Sequence, residues 1–103
     1  LEQLGPRFEH ASMFPERVNA EFVRVVDRST LRMRAWERGN GETLSCGTGA
    51  AAAAIAAVRC GCCDEGTDIT VKLLGGDLIV NCGVRGVTLT GEAKHVYDGV
   101  VEY

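Results

Sequence analysis

The fold of this chain is decided by the run CGTGAAAAAIAAV, which occupies residues 46–58. Alanine has the highest helix propensity of all residues, so the run predicts a helix over residues 48–60. Gly61 stands where a helix commonly ends. Because the side chains are small on every side of this helix, we expect it to be buried and closely approached by a sheet.

Segments rich in strand-forming residues lie on both sides of the predicted helix. The residues from Thr30 to Glu37 alternate strictly, which places Leu31, Met33 and Ala35 on one face of a strand. The other predicted elements are a tight hairpin at residues 74–77 and strands at 18–26, 69–74, 77–82, 87–90 and 93–97, with a further strand at 100–103.

The same alternation decides where Glu37 lies. Period two places this carboxylate on the apolar side of the strand, where it needs polar partners or has a raised pKa. The alternative is that the strand has already ended and that Glu37 is solvated.

The order of these elements predicts the fold class. Residues 1–17 mix polar residues, glycine and proline with single apolar side chains, and we expect them to be irregular. Two strands, one helix and a meander of short strands follow. The sequence therefore predicts an α+β domain in which a mixed or antiparallel sheet of short strands wraps around a central alanine-rich helix.

Composition fits one domain and excludes several functions. A chain of 103 residues with 46% hydrophobic residues has the size of a single compact domain. Its net charge of −3 argues against general nucleic-acid binding. No uncharged apolar run reaches the roughly 18 residues of a membrane span, and no secretory signal is visible. We therefore expect a cytoplasmic protein without nucleic-acid or membrane partners.

Five cysteines are present, an odd number that cannot pair completely within one chain. In a reducing cytosol thiols stay free. Cys60, Cys62 and Cys63 lie close together in sequence, but no fourth metal ligand stands at a typical spacing. We expect free thiols in a loop at the helix end and no bound metal, with a zinc site as the alternative.

Cys46 stands where a loop becomes the predicted helix. The first turn of a helix presents unpaired N–H groups and a partial positive charge, so it binds a carboxylate or phosphate. The same field lowers the pKa of a cysteine thiol, which becomes a usable base or nucleophile. An anion site and an ionisable thiol are therefore predicted together, with a small buried cysteine in a glycine-rich turn as the alternative.

Motifs along almost the whole chain resemble the C-terminal domain of diaminopimelate epimerase. The Cys-Gly-Thr-Gly element is also similar to proline racemases, whereas the elements around Asn19 and Glu37 point to the diaminopimelate enzyme. In chain order, the matching segments are LGP at residues 4–6, FPERVNAEF at 14–22, ERGNGET at 37–43, CGTGA at 46–50, GGDL at 75–78 and TGEA at 90–93.

The resemblance implies a cofactor-independent epimerase that interconverts LL- and meso-diaminopimelate for lysine and peptidoglycan synthesis. One cysteine thiolate removes the α-proton, and a second cysteine returns a proton to the opposite face. Cys46 matches one of these acid/base cysteines. The resemblance further implies that Asn19, Glu37 and Arg38 hold the substrate, and that the backbone amides of Gly47 and Thr48 donate to its carboxylate.

The resemblance also implies that a second domain is needed. The family enzyme has two similar domains with the active site between them, and residues 1–103 match the C-terminal half as a single domain. The other catalytic cysteine belongs to the N-terminal half, which is absent here. We expect this fragment to be inactive alone, with the missing domain as its partner and a homodimer as a further assembly.

Two other functions are alternatives to this one. The first is a related enzyme of the proline racemase type. The second is a non-catalytic module that binds small carboxylates or pairs with another chain. A basic cluster on two strands is expected to be an ordinary solvated face, with the missing half or a second subunit as the alternative contact; it consists of Arg24, Arg28, Arg32 and Arg34.

Overall fold

The structure is a computed structural model that describes residues 2–11, 13 and 16–102. Its elements are helix α1 (Leu4–Glu9), strands β1 (Ala20–Asp27), β2 (Thr30–Glu37) and β3 (Gly41–Thr43), helix α2 (Gly47–Arg59), and strands β4 (Asp68–Leu73), β5 (Gly76–Gly83) and β6 (Gly86–Thr90). Within the described residues, neither helix is long and apolar enough to cross a membrane.

The six strands form one mixed sheet in the order β1-β2-β4-β5-β6, with β3 paired to β2. Every pair is antiparallel except β2 and β4, which run parallel. A parallel pair needs a long crossover connection, and α2 lies in that connection. The predicted α+β class with a mixed sheet and a packed helix is confirmed.

The core lies between α2 and one face of the sheet. Leu31, Met33 and Ala35 of β2 are fully buried on this face, as their alternation predicted. From the helix, Ala50 and Ala54 are fully buried against them. Because these side chains end at Cβ, the helix axis can approach the strands closely, and the helix predicted at residues 48–60 is confirmed to within one residue at each end.

The opposite face of the sheet carries α1. The rings of Phe8 and Phe22 meet edge to face with their centroids 5.7 Å apart. Gly5 lies so close to Trp36 that a Cβ at this position would fall 2.1 Å from the indole ring. The helix therefore rests directly on the end of β2, on the side away from α2.

Four predictions about secondary structure need correction. Residues 4–9 are helical rather than irregular, because α1 is stabilised by its contact with Trp36 and is too short to be predicted from propensity. The short strand β3 was not predicted. The strand predicted at residues 93–97 is wrong, and so is the one predicted at 100–103 as far as residue 102, since residues 91–102 contain no strand and are exposed throughout. Strand-forming side chains are effective only against a neighbouring strand or a covered face.

Candidate active site

Cys46 is the N-cap of α2 and holds an extended backbone conformation there. Its Sγ accepts a hydrogen bond from the backbone N–H of Gly49 at 3.3 Å, and its carbonyl accepts from Ala50 at 2.9 Å. The side chain is only 7% exposed. The thiol thus takes the place that a serine or aspartate oxygen usually takes at a helix start.

Glu37 faces the same thiol from the end of β2. The strand alternation puts it on the side of the sheet that carries α2, and its side chain is half-buried. Burial raises the pKa of Cys46, and the interaction with the carboxylate of Glu37 raises it further. The N–H of Gly49 and the hydroxyl of Thr48 act in the opposite direction.

The lowered pKa expected for Cys46 is therefore wrong for this chain. A helix N-terminus does favour a thiolate, and the hydrogen bond from Gly49 shows that effect. Removal from water and the charge of Glu37 outweigh it, because both disfavour a second negative charge at this place.

Glu21 is the third titratable group at this end of the sheet, after the Cys46 thiol and the Glu37 carboxylate. It pairs in register with Ala35, so it points to the α2 side, and its Oε1 lies 2.7 Å from where a Cβ on Gly49 would be. Burial raises the pKa of Glu21, and the charge of Glu37 raises it further. Sequence reasoning gave Glu21 no role, although its register opposite β2 would have placed it on the face of Glu37.

Asn19 and Arg38 meet beside this cluster. The backbone N–H of Arg38 donates to Oδ1 of Asn19 at 2.5 Å. The guanidinium of Arg38 reaches the carbonyl oxygen of Glu16 at 3.4 Å through one nitrogen. Arg38 and Asn19 are both exposed, so the rest of the guanidinium and the Nδ2 group of Asn19 face solvent.

Gly47 and Thr48 form the first turn of α2. Helix geometry leaves their backbone N–H groups without intrahelical acceptors. Thr48 is exposed, and its Oγ1 lies 3.8 Å from Sγ of Cys46. A Cβ on Gly47 would lie 3.0 Å from Leu89 of β6, so the backbone at this point is closely packed.

All six residues singled out from the sequence lie at one end of the sheet. Ala20 pairs with Trp36, which brings the start of β1 to the end of β2, and the N-terminus of α2 lies against the same end. Two clefts of about 510 Å³ each lie elsewhere, one lined by Arg24 and Arg32 and the other by Leu4 and Phe8. Cys46 lines neither of these two clefts.

The other cysteines lie away from this group. Cys60, Cys62 and Cys63 follow the C-terminal end of α2, and Cys82 is buried in β5. Among the described residues, no set of three His, Cys, Asp or Glu side chains is arranged to hold a metal ion. Arg28 instead joins this end by donating to Asp64 and to the carbonyl of Gly61.

Comparison with known proteins gives a consistent result. The family model of diaminopimelate epimerase matches residues 1–96. The chain is 54% identical to the diaminopimelate epimerase of Acetivibrio thermocellus over 99% of its length, and 48% identical to that of Methanococcus maripaludis strain C5, also over 99%. It is 45% identical to that of Bacillus cytotoxicus over its whole length. These alignments cover 36%, 37% and 36% of the three relatives, so the chain spans little more than a third of their length.

Proposed function

The chain belongs to the diaminopimelate epimerase family, and we propose that it is the C-terminal catalytic domain of an enzyme that interconverts LL- and meso-diaminopimelate. The observation that carries the proposal is the meeting of a thiol, a carboxylate and a helix N-terminus at Cys46, Glu37 and Gly47. Such an enzyme supplies the lysine and peptidoglycan precursors of the cytoplasm.

The first chemical step follows from the contact between Cys46 and Glu37. Because burial raises the pKa of the thiol, the thiol gives up its proton only when an acceptor is at hand. We propose the carboxylate of Glu37 as that acceptor, a role in addition to the substrate holding that the family resemblance implies for it. The resulting thiolate takes the α-proton of the substrate: the C–H bond breaks, an S–H bond forms, and the electron pair passes from the α-carbon into the neighbouring carboxylate.

The first turn of α2 stabilises the charge that this step creates. Backbone N–H groups that are already oriented need no rearrangement when charge develops, and they are most effective where water is excluded. The free N–H groups of Gly47 and Thr48 are placed for this role. No cofactor or metal is needed, since the acceptor, the thiol and the donors all belong to the protein.

The far end of the substrate needs a different set of groups. Diaminopimelate carries a carboxylate and an amine at both ends. Arg38 offers planar N–H donors that suit a carboxylate, and the amide of Asn19 lies beside it. We assign these two residues to substrate binding.

Inversion also needs a proton donor on the opposite face of the α-carbon. Cys60 lies at the other end of α2, roughly 20 Å from Cys46 at 1.5 Å per residue. We propose that a domain outside this chain supplies the second acid and completes the site around Cys46. A pairing of two such enzymes into a homodimer is part of the same proposal.

The proposal is tested by adding the missing domain. The chain alone is incubated with LL-diaminopimelate, and inversion is followed by chiral chromatography. We expect no inversion from the chain and rapid inversion once it is joined to an N-terminal domain from a relative. L-Proline serves as the comparison substrate. Inversion by the chain alone, or of proline rather than diaminopimelate by the joined protein, would contradict the proposal.

A further inference from the structure

Glu9 is a buried carboxylate outside the site described above. It lies at the end of α1 and is 4% exposed, and it is the only charged side chain in the buried class among residues 2–11, 13 and 16–102. A carboxylate removed from water is costly unless donors surround it. The hydrogen-bond donors around Glu9 therefore indicate its structural role.

Both oxygens of Glu9 accept hydrogen bonds from the end of β2. Oε1 accepts from the indole Nε1–H of Trp36 at 2.8 Å, and Oε2 accepts from the backbone N–H of Gly39 at 3.0 Å. Nη1 of Arg17 lies 3.3 Å from Oε2. Trp36 immediately precedes Glu37, and Gly39 immediately follows Arg38, so one carboxylate holds both ends of the pair.

Further contacts fix α1 on this turn. The close approach of Gly5 to the indole ring seats the helix on Trp36. Arg17 holds a positive φ of 65°, a conformation that is costly for a residue with a side chain, and its ion pair with Glu9 helps to keep it there. Asn19 then receives the N–H of Arg38 two residues further on.

We propose that Glu9 is a positioning residue that fixes the two-residue pair Glu37-Arg38 for its work in the active site. Hydrogen bonds at Trp36 and Gly39 set the direction in which Glu37 points to Cys46 and Arg38 points to the substrate. The proposal rests on the proposed function for the roles of those two side chains, but the contacts of Glu9 stand independently of it.

A structural measurement tests the contacts on this chain as it is. In Glu9→Gln only one side-chain oxygen remains as an acceptor, so the N–H groups of Trp36 and Gly39 compete for it and the bond from Gly39 is weakened. We expect amide hydrogen exchange at Gly39 to rise by about tenfold or more, with no change at the β4–β5 amides. Glu2→Gln, at an exposed position on the same segment, is the matched control and should exchange like the wild type.

Trp36 provides a second, spectroscopic measurement, because it is the single tryptophan of the chain. The donors from Trp36 and Gly39 hold the pKa of Glu9 below its usual range. Indole fluorescence should therefore change at a pH below the ordinary pKa of glutamate in the wild type and in Glu2→Gln. This change should be absent in Glu9→Gln. If Glu9→Gln does not fold, Trp36→Phe replaces the indole with a phenyl ring and removes its Nε1–H donor to Glu9. Amide exchange at Gly39 should then rise, and unchanged exchange would overturn the proposal.

The functional measurement uses the enzyme with both domains. Because the turn carries both Arg38, which binds the substrate, and Glu37, which accepts the proton of Cys46, we expect Glu9→Gln to raise KM for diaminopimelate about five- to tenfold and to lower kcat by a similar factor, and Glu2→Gln to change neither. An unchanged KM, or unchanged exchange at Gly39, would overturn the proposal. If the wild type does not act on diaminopimelate at all, the proposed function fails, and the exchange result still decides whether Glu9 fixes the turn.

Discussion

The two faces of the sheet each hold a glutamate near the end of β2, and the two glutamates behave in opposite ways. On the α1 face, hydrogen bonds from Trp36 and Gly39 lower the pKa of Glu9 despite its burial. On the α2 face, burial is the main influence on Glu21, and burial together with the charge of Glu37 raises its pKa. Hydrogen bonds from N–H groups and neighbouring charges, rather than depth alone, therefore decide in which direction the pKa of each carboxylate moves.

This difference indicates that one face of the sheet has a structural role and that the other has a role in proton transfer. The hydrogen bonds that Glu9 accepts hold the residues that donate them in fixed positions. On the α2 face, burial raises the pKa of Glu21 and of the Cys46 thiol, and groups with raised pKa values are suited to proton transfer. The α1 face thus holds the turn in place, and the α2 face carries the groups that can change charge.

The largest effect is expected from breaking the α1 face at its closest contact. Gly5→Ala places a Cβ 2.1 Å from the rigid indole of Trp36, so α1 or the ring must move. We expect a loss of about 1–3 kcal/mol in the free energy of unfolding, measured by urea denaturation.

Gln3→Ala is the control for that experiment. Gln3 is the N-cap of α1 but makes no side-chain capping bond, so its removal should change stability by less than about 0.5 kcal/mol. A Gly5→Ala protein as stable as the control would show that α1 does not depend on its seat on Trp36.

A second prediction concerns the thiol of Cys46 on the α2 face. After burial, the hydrogen bond between the thiol and the carboxylate of Glu37, together with the charge of that carboxylate, raises the pKa of Cys46, so Glu37→Gln should lower that pKa and enlarge the thiolate fraction at a given pH. We expect Cys46 to be alkylated by iodoacetamide several times faster at mildly alkaline pH, read peptide by peptide by mass spectrometry.

Glu92→Gln is the control, because Glu92 is exposed and lies outside the cluster. The rate at Cys60, which is exposed at the far end of α2, serves as an internal standard in each sample. Slower or equal alkylation of Cys46 in Glu37→Gln would mean that the carboxylate does not oppose the thiolate.

A third, smaller effect concerns stability against pH. Folding lowers the pKa of Glu9, so its contribution is complete above the ordinary glutamate pKa and is lost as pH falls through the lowered value. Folding raises the pKa of Glu21, so its contribution is complete below the ordinary pKa and is lost as pH rises through the raised value.

The two glutamine variants should therefore tilt the stability curve in opposite directions. Glu9→Gln should flatten the fall in stability on acidification, and Glu21→Gln should flatten the fall towards neutral pH. Urea denaturation at a series of pH values measures both slopes. Equal slopes in the two variants would remove the contrast between the faces.

The sequence predicts the α2 face better than the α1 face, and the reasons are physical. Alanine propensity and a period-two alternation are local signals, so the helix from Gly47 to Arg59 and the buried row of β2 are readable directly. The alternation also places Glu37 on the correct side. In contrast, α1 exists through a contact between Gly5 and Trp36, which are 31 positions apart, and no local pattern shows it.

The candidate site shows the same limit. Its helix N-terminus and its thiol follow from the order of residues around Cys46, but the direction of the pKa shift does not. That direction depends on burial by the sheet and on Glu37, which comes from another strand. Glu21 and Glu9 were not singled out, because their importance depends on strand register and on a tertiary hydrogen bond to Trp36. Phe14 and Pro15 of the recognised motif lie outside the described residues.

The central claim is that Cys46 moves the α-proton, and the measurement that tests it most directly is hydrogen exchange at the substrate. The two-domain enzyme is incubated with LL-diaminopimelate in D₂O, and deuterium at the α-carbon is followed together with inversion. We expect Cys46→Ser to lose both by about a thousandfold or more, since a serine hydroxyl is a far weaker acid and base partner, while Cys60→Ser keeps both. Inversion by Cys46→Ser at a rate close to the wild type would contradict the account.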